Sequence, residues 1–217
     1  MNNLIVFDSI PISVPKDRVY KRLGYQRDKT RLSSRQRIEI EQYIQDSLKF
    51  IDLKGVAKRI VIKEKNNFEI IFAQDSTFES KHLAALLKDC CEVIFMGVTA
   101  SKEIVQQIQM NSSQGDLTKA VVFDAVASEM TDVSLDWIMN YMNQQLCREN
   151  KTITRRRFSP GYSDFILENQ RVLYSALKLD KLGVTITSDC ILVPEKSVIA
   201  VAGILERVKG QGTRVKE

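Results

Sequence analysis

The densest set of chemically capable side chains is the run Arg155-Arg156-Arg157-Phe158-Ser159-Pro160-Gly161-Tyr162. A guanidinium offers a planar fork of donors that meets a carboxylate two bonds at a time. The spacing predicts a strand over 153–158, in which side chains alternate. Arg155 and Arg157 then share one face and Arg156 takes the other. Pro160 and Gly161 predict a tight turn whose glycine lets a ligand approach the backbone. An arginine leading into a turn that ends on a tyrosine can clamp a carboxylate and set a ring or hydroxyl beside it. The same residues suit an edge strand with solvated arginines, and the sequence leaves both readings open.

A second constellation precedes it. Glu129, Asp132 and Asp136 fall on one face of a long helix predicted over 116–146. They read either as a solvated helix edge or as an acidic lip on a cleft.

Other chemistries are excluded by what is missing. His82 is the single histidine, so HExxH zinc sites and histidine cages are out. No GxSxG elbow accompanies it, and no GxxxxGK[ST] loop cradles phosphates. The first predicted strand, 3–7, leads into no glycine-rich loop, which argues against a doubly wound methyltransferase. The four cysteines, Cys90, Cys91, Cys147 and Cys190, show no CxxC spacing. The adjacent pair reads as small apolar residues entering a buried strand.

Composition frames the rest. The chain has 217 residues, 44% hydrophobic and 27% charged, which suits one folded domain with a core of its own. Net charge is +5, but residues 16–37 hold nine bases (Lys16, Arg18, Lys21, Arg22, Arg27, Lys29, Arg31, Arg35, Arg37) against Asp17 and Asp28. That local excess predicts one surface facing an anionic partner. The opening MNNLIVFDSI lacks the form of a signal peptide and no apolar run reaches membrane-spanning length, so we expect a cytoplasmic protein with reduced thiols.

The elements that must position the arginines and acids follow from periodicity. Pro15 to Gly24 predicts a short helix with Val19 and Leu23 inward, and Ser33 or Ser34 caps a second over 35–51. A hairpin over 58–63 and 68–73 precedes helix 79–89, and an apolar strand over 91–99 is followed by helix 101–110. In the long helix Val122, Val126, Met130, Val133, Trp137 and Tyr141 form an apolar stripe. After the arginine run come a helix over 167–178 and two or three strands. Neighbouring strands lie close in sequence, which predicts an α+β domain with a twisted, largely antiparallel sheet and flanking helices. The domain is expected over 1–206, with a charged tail over 207–217.

Arg157-x-x-x-Gly161-Tyr162 resembles the RxxxGY motif of the S-adenosylmethionine-binding activation domain of cobalamin-dependent methionine synthase. The segment LDKLGVTITSDCILVPEKSVIAVAGI, 179–204, looks like that domain's closing part, and RVYKRLGY, 18–25, resembles the start of free-standing members. The resemblance implies a single α+β domain that binds S-adenosylmethionine. It implies Arg157 on the methionyl carboxylate, with the Ser159 backbone, Gly161 and Tyr162 holding the ligand and Glu129 and Asp132 facing it. No DxHxxG cobalamin motif and no zinc-cysteine loop is present. The resemblance therefore implies an accessory role with no independent turnover, cobalamin being met only through a partner. That partner would be a corrinoid-binding methyltransferase, such as a methionine synthase lacking its own activation domain. A flavodoxin- or ferredoxin-type donor would supply the electron, docking on the basic segment. The competing reading of that segment is a nucleic-acid-binding module, against which stand 7% aromatic residues and the lack of an RNP-like motif.

Overall fold

The computed structural model describes residues 4–26, 28–73 and 76–207. In chain order the elements are β1 (Leu4–Phe7), α1 (Lys16–Arg22), α2 (Ser34–Ser47), β2 (Lys54–Lys65), β3 (Glu69–Phe72), β4 (Thr77–Glu79), α3 (Lys81–Leu86) and β5 (Glu92–Thr99). Then follow α4 (Lys102–Ser113), α5 (Leu117–Cys147), β6 (Lys151–Ile153), α6 (Asn169–Leu177), β7 (Thr185–Ile186), β8 (Leu192–Val193) and β9 (Ser197–Glu206). Single turns of 3-10 helix stand at Leu48–Phe50 and Leu179–Leu182.

Seven strands form a curled antiparallel sheet in the order β4-β3-β2-β5-β9-β6, with β1 also on β2. β5 and β9 are central because neither alternates with polar residues: both faces of each are covered. Ile94, Met96 and Val98 of β5 point into one core, Val93 and Phe95 into the other. The first core lies under α1, α2, α4 and α5, the second under α3, α6 and the turn at Leu179. This is the α+β domain expected, including the long helix before the motif.

α5 explains its own length. Val122, Val126 and Met130 are buried as the stripe predicts, and Trp137 and Tyr141 meet Phe7 edge-on at 5.3 and 5.1 Å. Ala120, Phe123, Leu135, Ile138 and Met142 are buried as well, so α5 is packed on more than one side. Asp116 caps its start by accepting the Lys119 N–H. Ser33 does the same for α2, in a reciprocal capping box with Gln36.

The strand expected over 153–158 is cut short: β6 ends at Ile153. Thr154 is the cause. Its N–H donates to the Gly203 carbonyl while its hydroxyl accepts from the Gly203 N–H and donates to the Arg156 carbonyl. Pairing with β9 resumes only at Phe158 opposite Val201, so three arginines bulge out against Ala202 alone. The alternation argument lapses there. Arg155 and Arg156 are both exposed, and Arg157 turns back onto α5. β4 was not anticipated, and α4 runs on to Ser113, past the expected end at 110. From residue 208 the expected tail lies outside the described residues.

Candidate functional site

Ser159-Pro160-Gly161-Tyr162 forms a type II β-turn. The Tyr162 N–H donates to the Ser159 carbonyl at 3.4 Å, and Gly161, in its third position, has φ +88°. Proline and glycine stand where that turn wants them. A Cβ on Gly161 would be strained by that φ and would meet Leu167 Cδ1 at 3.2 Å. The Gly161 N–H then donates to the Phe165 carbonyl at 2.7 Å, closing a second loop over 161–165.

Two anchors hold this double turn. Phe165 is fully buried, its ring 5.2 Å from Phe78 and 6.1 Å from Phe158. Asp164 reaches across the fold to the start of α3. It accepts from the Ser80 hydroxyl and the Lys81 N–H, both at 2.6 Å, and stands 3.0 Å from His82 Nδ1. The Ser80 hydroxyl foremost, with His82 and the Lys81 amide, holds the Asp164 carboxyl far below the usual carboxylate range. Ser163 Oγ lies 3.0 Å from the same His82 nitrogen. A nucleophile relay needs its serine and its aspartate on opposite ring nitrogens, so this cluster is a fastener and no triad. Tyr162 is left 68% exposed at the tip.

Arg157 enters the turn from the other side with its side chain 19% exposed. Its Nη2 donates to Asp132 Oδ1 at 2.6 Å and to the Asp132 carbonyl at 3.2 Å, and its Nη1 donates to Asp136 Oδ1. Burial opposes the charge on Arg157, but the two aspartates outweigh it and raise its pKa above the ordinary arginine value. Nε–H makes no hydrogen bond among the described residues.

The acids belong to a regular stripe. Asp124, Ser128, Asp132 and Asp136 recur every fourth residue of α5 and so line one face. A base from elsewhere meets each acid. Lys196, in the turn before β9, sits 2.6 Å from Asp124 and 3.0 Å from Ser128 Oγ. Arg18 of α1 spans Asp132 and Asp136, each at 3.3 Å, and Arg22 donates to Glu129 at 2.6 Å. Lys16 pairs with Glu41 of α2. Three of the nine bases in 16–37 are thus spent inside the chain, while Lys21, Lys29, Arg31, Arg35 and Arg37 remain exposed and Arg27 lies outside the described residues.

Two shallow cavities flank the Arg157 pairs. One, of 190 Å³, is lined by Arg22, Ser128, Thr131, Asp132, Lys196 and Ser197. The other, of 360 Å³, is lined by Asp136, Asn140, Asn143, Thr154 and Arg155. Of the residues singled out in the sequence, Arg157 and Asp132 are therefore brought into contact and Glu129 stands one turn of α5 away. Ser159, Gly161 and Tyr162 follow Arg157 in the chain but line neither cavity. Asp136, Asp164 and Arg18 were missed as site residues. Asp136 carried a signal, its place on the α5 face; Asp164 and Arg18 act across 82 and 114 residues or more and carried none. Among the described residues no cluster of His, Cys, Asp or Glu is arranged to hold a metal ion, and no helix is long and apolar enough to cross a membrane.

No family model and no curated protein matches the sequence. Among solved structures the chain is similar to the crystal structure of the MetH reactivation domain bound to AdoHcy. The TM-score is 0.65, over 98% of this chain and 81% of that one, at 12% identity. This antiparallel sheet between two helical layers is thus similar in fold to that reactivation domain.

Proposed function

We propose that this chain binds S-adenosylmethionine at Arg157, between the α5 acids on one side and the Ser159–Tyr162 turn that follows it in the chain, and that it serves the reactivation of a separate corrinoid methyltransferase. The observation that carries this reading is Arg157 of the Arg157-x-x-x-Gly161-Tyr162 motif laid on the acidic stripe of α5, in a fold of reactivation-domain type. The residues fit the ligand's charges. A methionyl group bears a carboxylate, an ammonium and a sulfonium, so it needs a cation and an anion side by side. Arg157 has an open Nε–H edge for the carboxylate. Asp132 and Asp136, half exposed, can accept the ammonium. Gly161 and the Ser159 backbone leave room at the turn, and the bare Tyr162 ring offers a face for stacking.

When bound, S-adenosylmethionine supplies a methyl group that passes to cob(I)alamin, formed from inactive cob(II)alamin by one electron from a flavodoxin- or ferredoxin-type donor. The task of this chain is positional: to hold the amino-acid end firmly so that the methyl stands toward the partner's cobalt. It calls for no acid or base, which agrees with His82 being tied to Asp164. The exposed bases Lys21, Lys29, Arg31, Arg35 and Arg37 suit docking of an acidic electron donor.

Both terminal nitrogens of Arg157 are already paired within the chain and only the Nε–H edge is open, so a ligand carboxylate shares the guanidinium with Asp132 and Asp136 and binding is expected to be weak. Calorimetry with millimolar S-adenosylmethionine should show it, without turnover by the protein alone. With an inactive corrinoid protein and a reductant, catalytic amounts of the chain should restore methylcobalamin. A folded sample that gives neither heat nor thermal shift overturns the reading.

A further inference from the structure

We infer that Arg18 and Arg22 of α1 set the charge selectivity of this site, making it indifferent to whether the ligand's sulfur is charged. The inference rests on the S-adenosylmethionine reading above and adds to it two residues outside the motif.

Counting the residues that line the two cavities, Arg157 and their ion-pair partners, the described charges are five acids, Asp124, Glu129, Asp132, Asp136 and Glu195, and five bases, Arg18, Arg22, Arg155, Arg157 and Lys196. They cancel. Two of the bases come from α1, a helix of seven residues whose one buried side chain is Val19 and whose start has no side-chain cap. Arg18 and Arg22 are each about half exposed and reach their acids from the solvent side. Glu129, by contrast, is 12% exposed, so with Arg22 removed its charge would be poorly screened by water. α1 thus lies over the stripe as a neutralising cover. With it in place, the site presents no net charge to a ligand's sulfur. Sulfonium and neutral thioether, S-adenosylmethionine and S-adenosylhomocysteine, should then bind with similar affinity. Removing both arginine charges leaves a net charge of minus two, which favours the sulfonium alone.

The test compares the two ligands by calorimetry on the full chain, in wild type, in Arg18→Gln/Arg22→Gln and in Arg18→Lys/Arg22→Lys. The glutamine pair should raise the preference for S-adenosylmethionine over S-adenosylhomocysteine by about tenfold, the order expected for removing two nearby unit charges from a partly solvated site. High salt should erase much of the gain. The lysine pair, which keeps charge, should return the wild-type ratio, and this separates electrostatics from any loosening of α1. An unchanged ratio in the glutamine pair overturns the inference while leaving the binding reading intact. So does an equal loss of both ligands, which would place the arginines on the ligand carboxylate. If neither ligand binds wild type or variants, the binding reading falls and this inference with it.

Discussion

Replacing Arg157 by methionine tests site and fold together, because methionine keeps much of the apolar stem and deletes the charge. The guanidinium makes two charge-assisted bonds, to Asp132 and Asp136, and a third to the Asp132 carbonyl. A hydrogen bond to a charged group is worth roughly 1.5–3 kcal/mol when water is kept out. Here water is only partly excluded: the Asp132 and Asp136 side chains are 47% and 37% exposed and can rehydrate, and Arg18 remains to pair with both. Screened pairs of this kind contribute about 0–1 kcal/mol each. A net loss of about 1–2 kcal/mol follows, or a fall in Tm of roughly 3–7 °C for a chain of this size. Ligand affinity should drop further, about tenfold or more, since the partner lost is the one that meets the carboxylate. Arg156→Met is the control. Arg156 is exposed, and no side-chain bond of its own appears among the described residues, so stability should stay within about 0.5 kcal/mol and affinity should hold. Scanning calorimetry and ligand titration on both variants decide the matter. Equal effects from the two, or an Arg157 variant that melts and binds as wild type does, would refute the reasoning.

Three further outcomes are expected. Gly203→Ala would bring a Cβ to 2.4 Å from Cys90 Sγ and 2.9 Å from Leu87 Cδ2, and should cost about 1–3 kcal/mol in chemical denaturation, less when combined with Cys90→Ala. Burial alone would raise the pKa of Glu92, but its bonds to Arg59 and Lys151 prevail and lower it below 4.5. The stabilisation from Glu92 is therefore fully present above that value and is lost as pH falls below it, so a stability titration of Glu92→Gln should show a flatter acid limb than wild type. In the native protein a thiol reagent should label Cys91 and Cys147, which are exposed, well before Cys90 and Cys190, which are buried; burial pushes the Cys90 thiol up to about 11.

What could be read from the sequence was what the chain decides locally. The Pro160-Gly161 turn, the capping residue Ser33, the apolar run of β5 and the stripe of α5 each depend on neighbours a few residues away, and each stands where periodicity or turn chemistry puts it. The arginine strand failed for a reason equally physical but not local. Alternation over 153–158 assumes an unbroken ladder, and the Thr154 hydroxyl breaks it by bonding Gly203, 49 residues on. Arg157 faces α5 because the bulge returns it there, and no property of RRR foretells which arginine will turn.

The basic segment carries the same lesson about charge. A surplus of bases over 16–37 reads as an outward patch only while its partners are unknown. In the fold the sequence supplies some of them itself: Glu41 takes Lys16, Glu129 takes Arg22, and Asp132 and Asp136 take Arg18. The α5 acids likewise read as an anionic lip until three arginines are laid against them. Neither surplus reaches the surface whole. What reaches solvent is the remainder, with the exposed bases after α1 on one side and, on the other, a neutral seam where, on the reading proposed above, a carboxylate and an ammonium would exchange places with the chain's own ion pairs. A zwitterionic ligand fits such a seam better than an anion or a cation alone, since each of its charges replaces one the protein gives up. That exchange also explains why modest affinity is to be expected from a site so fully furnished with charge.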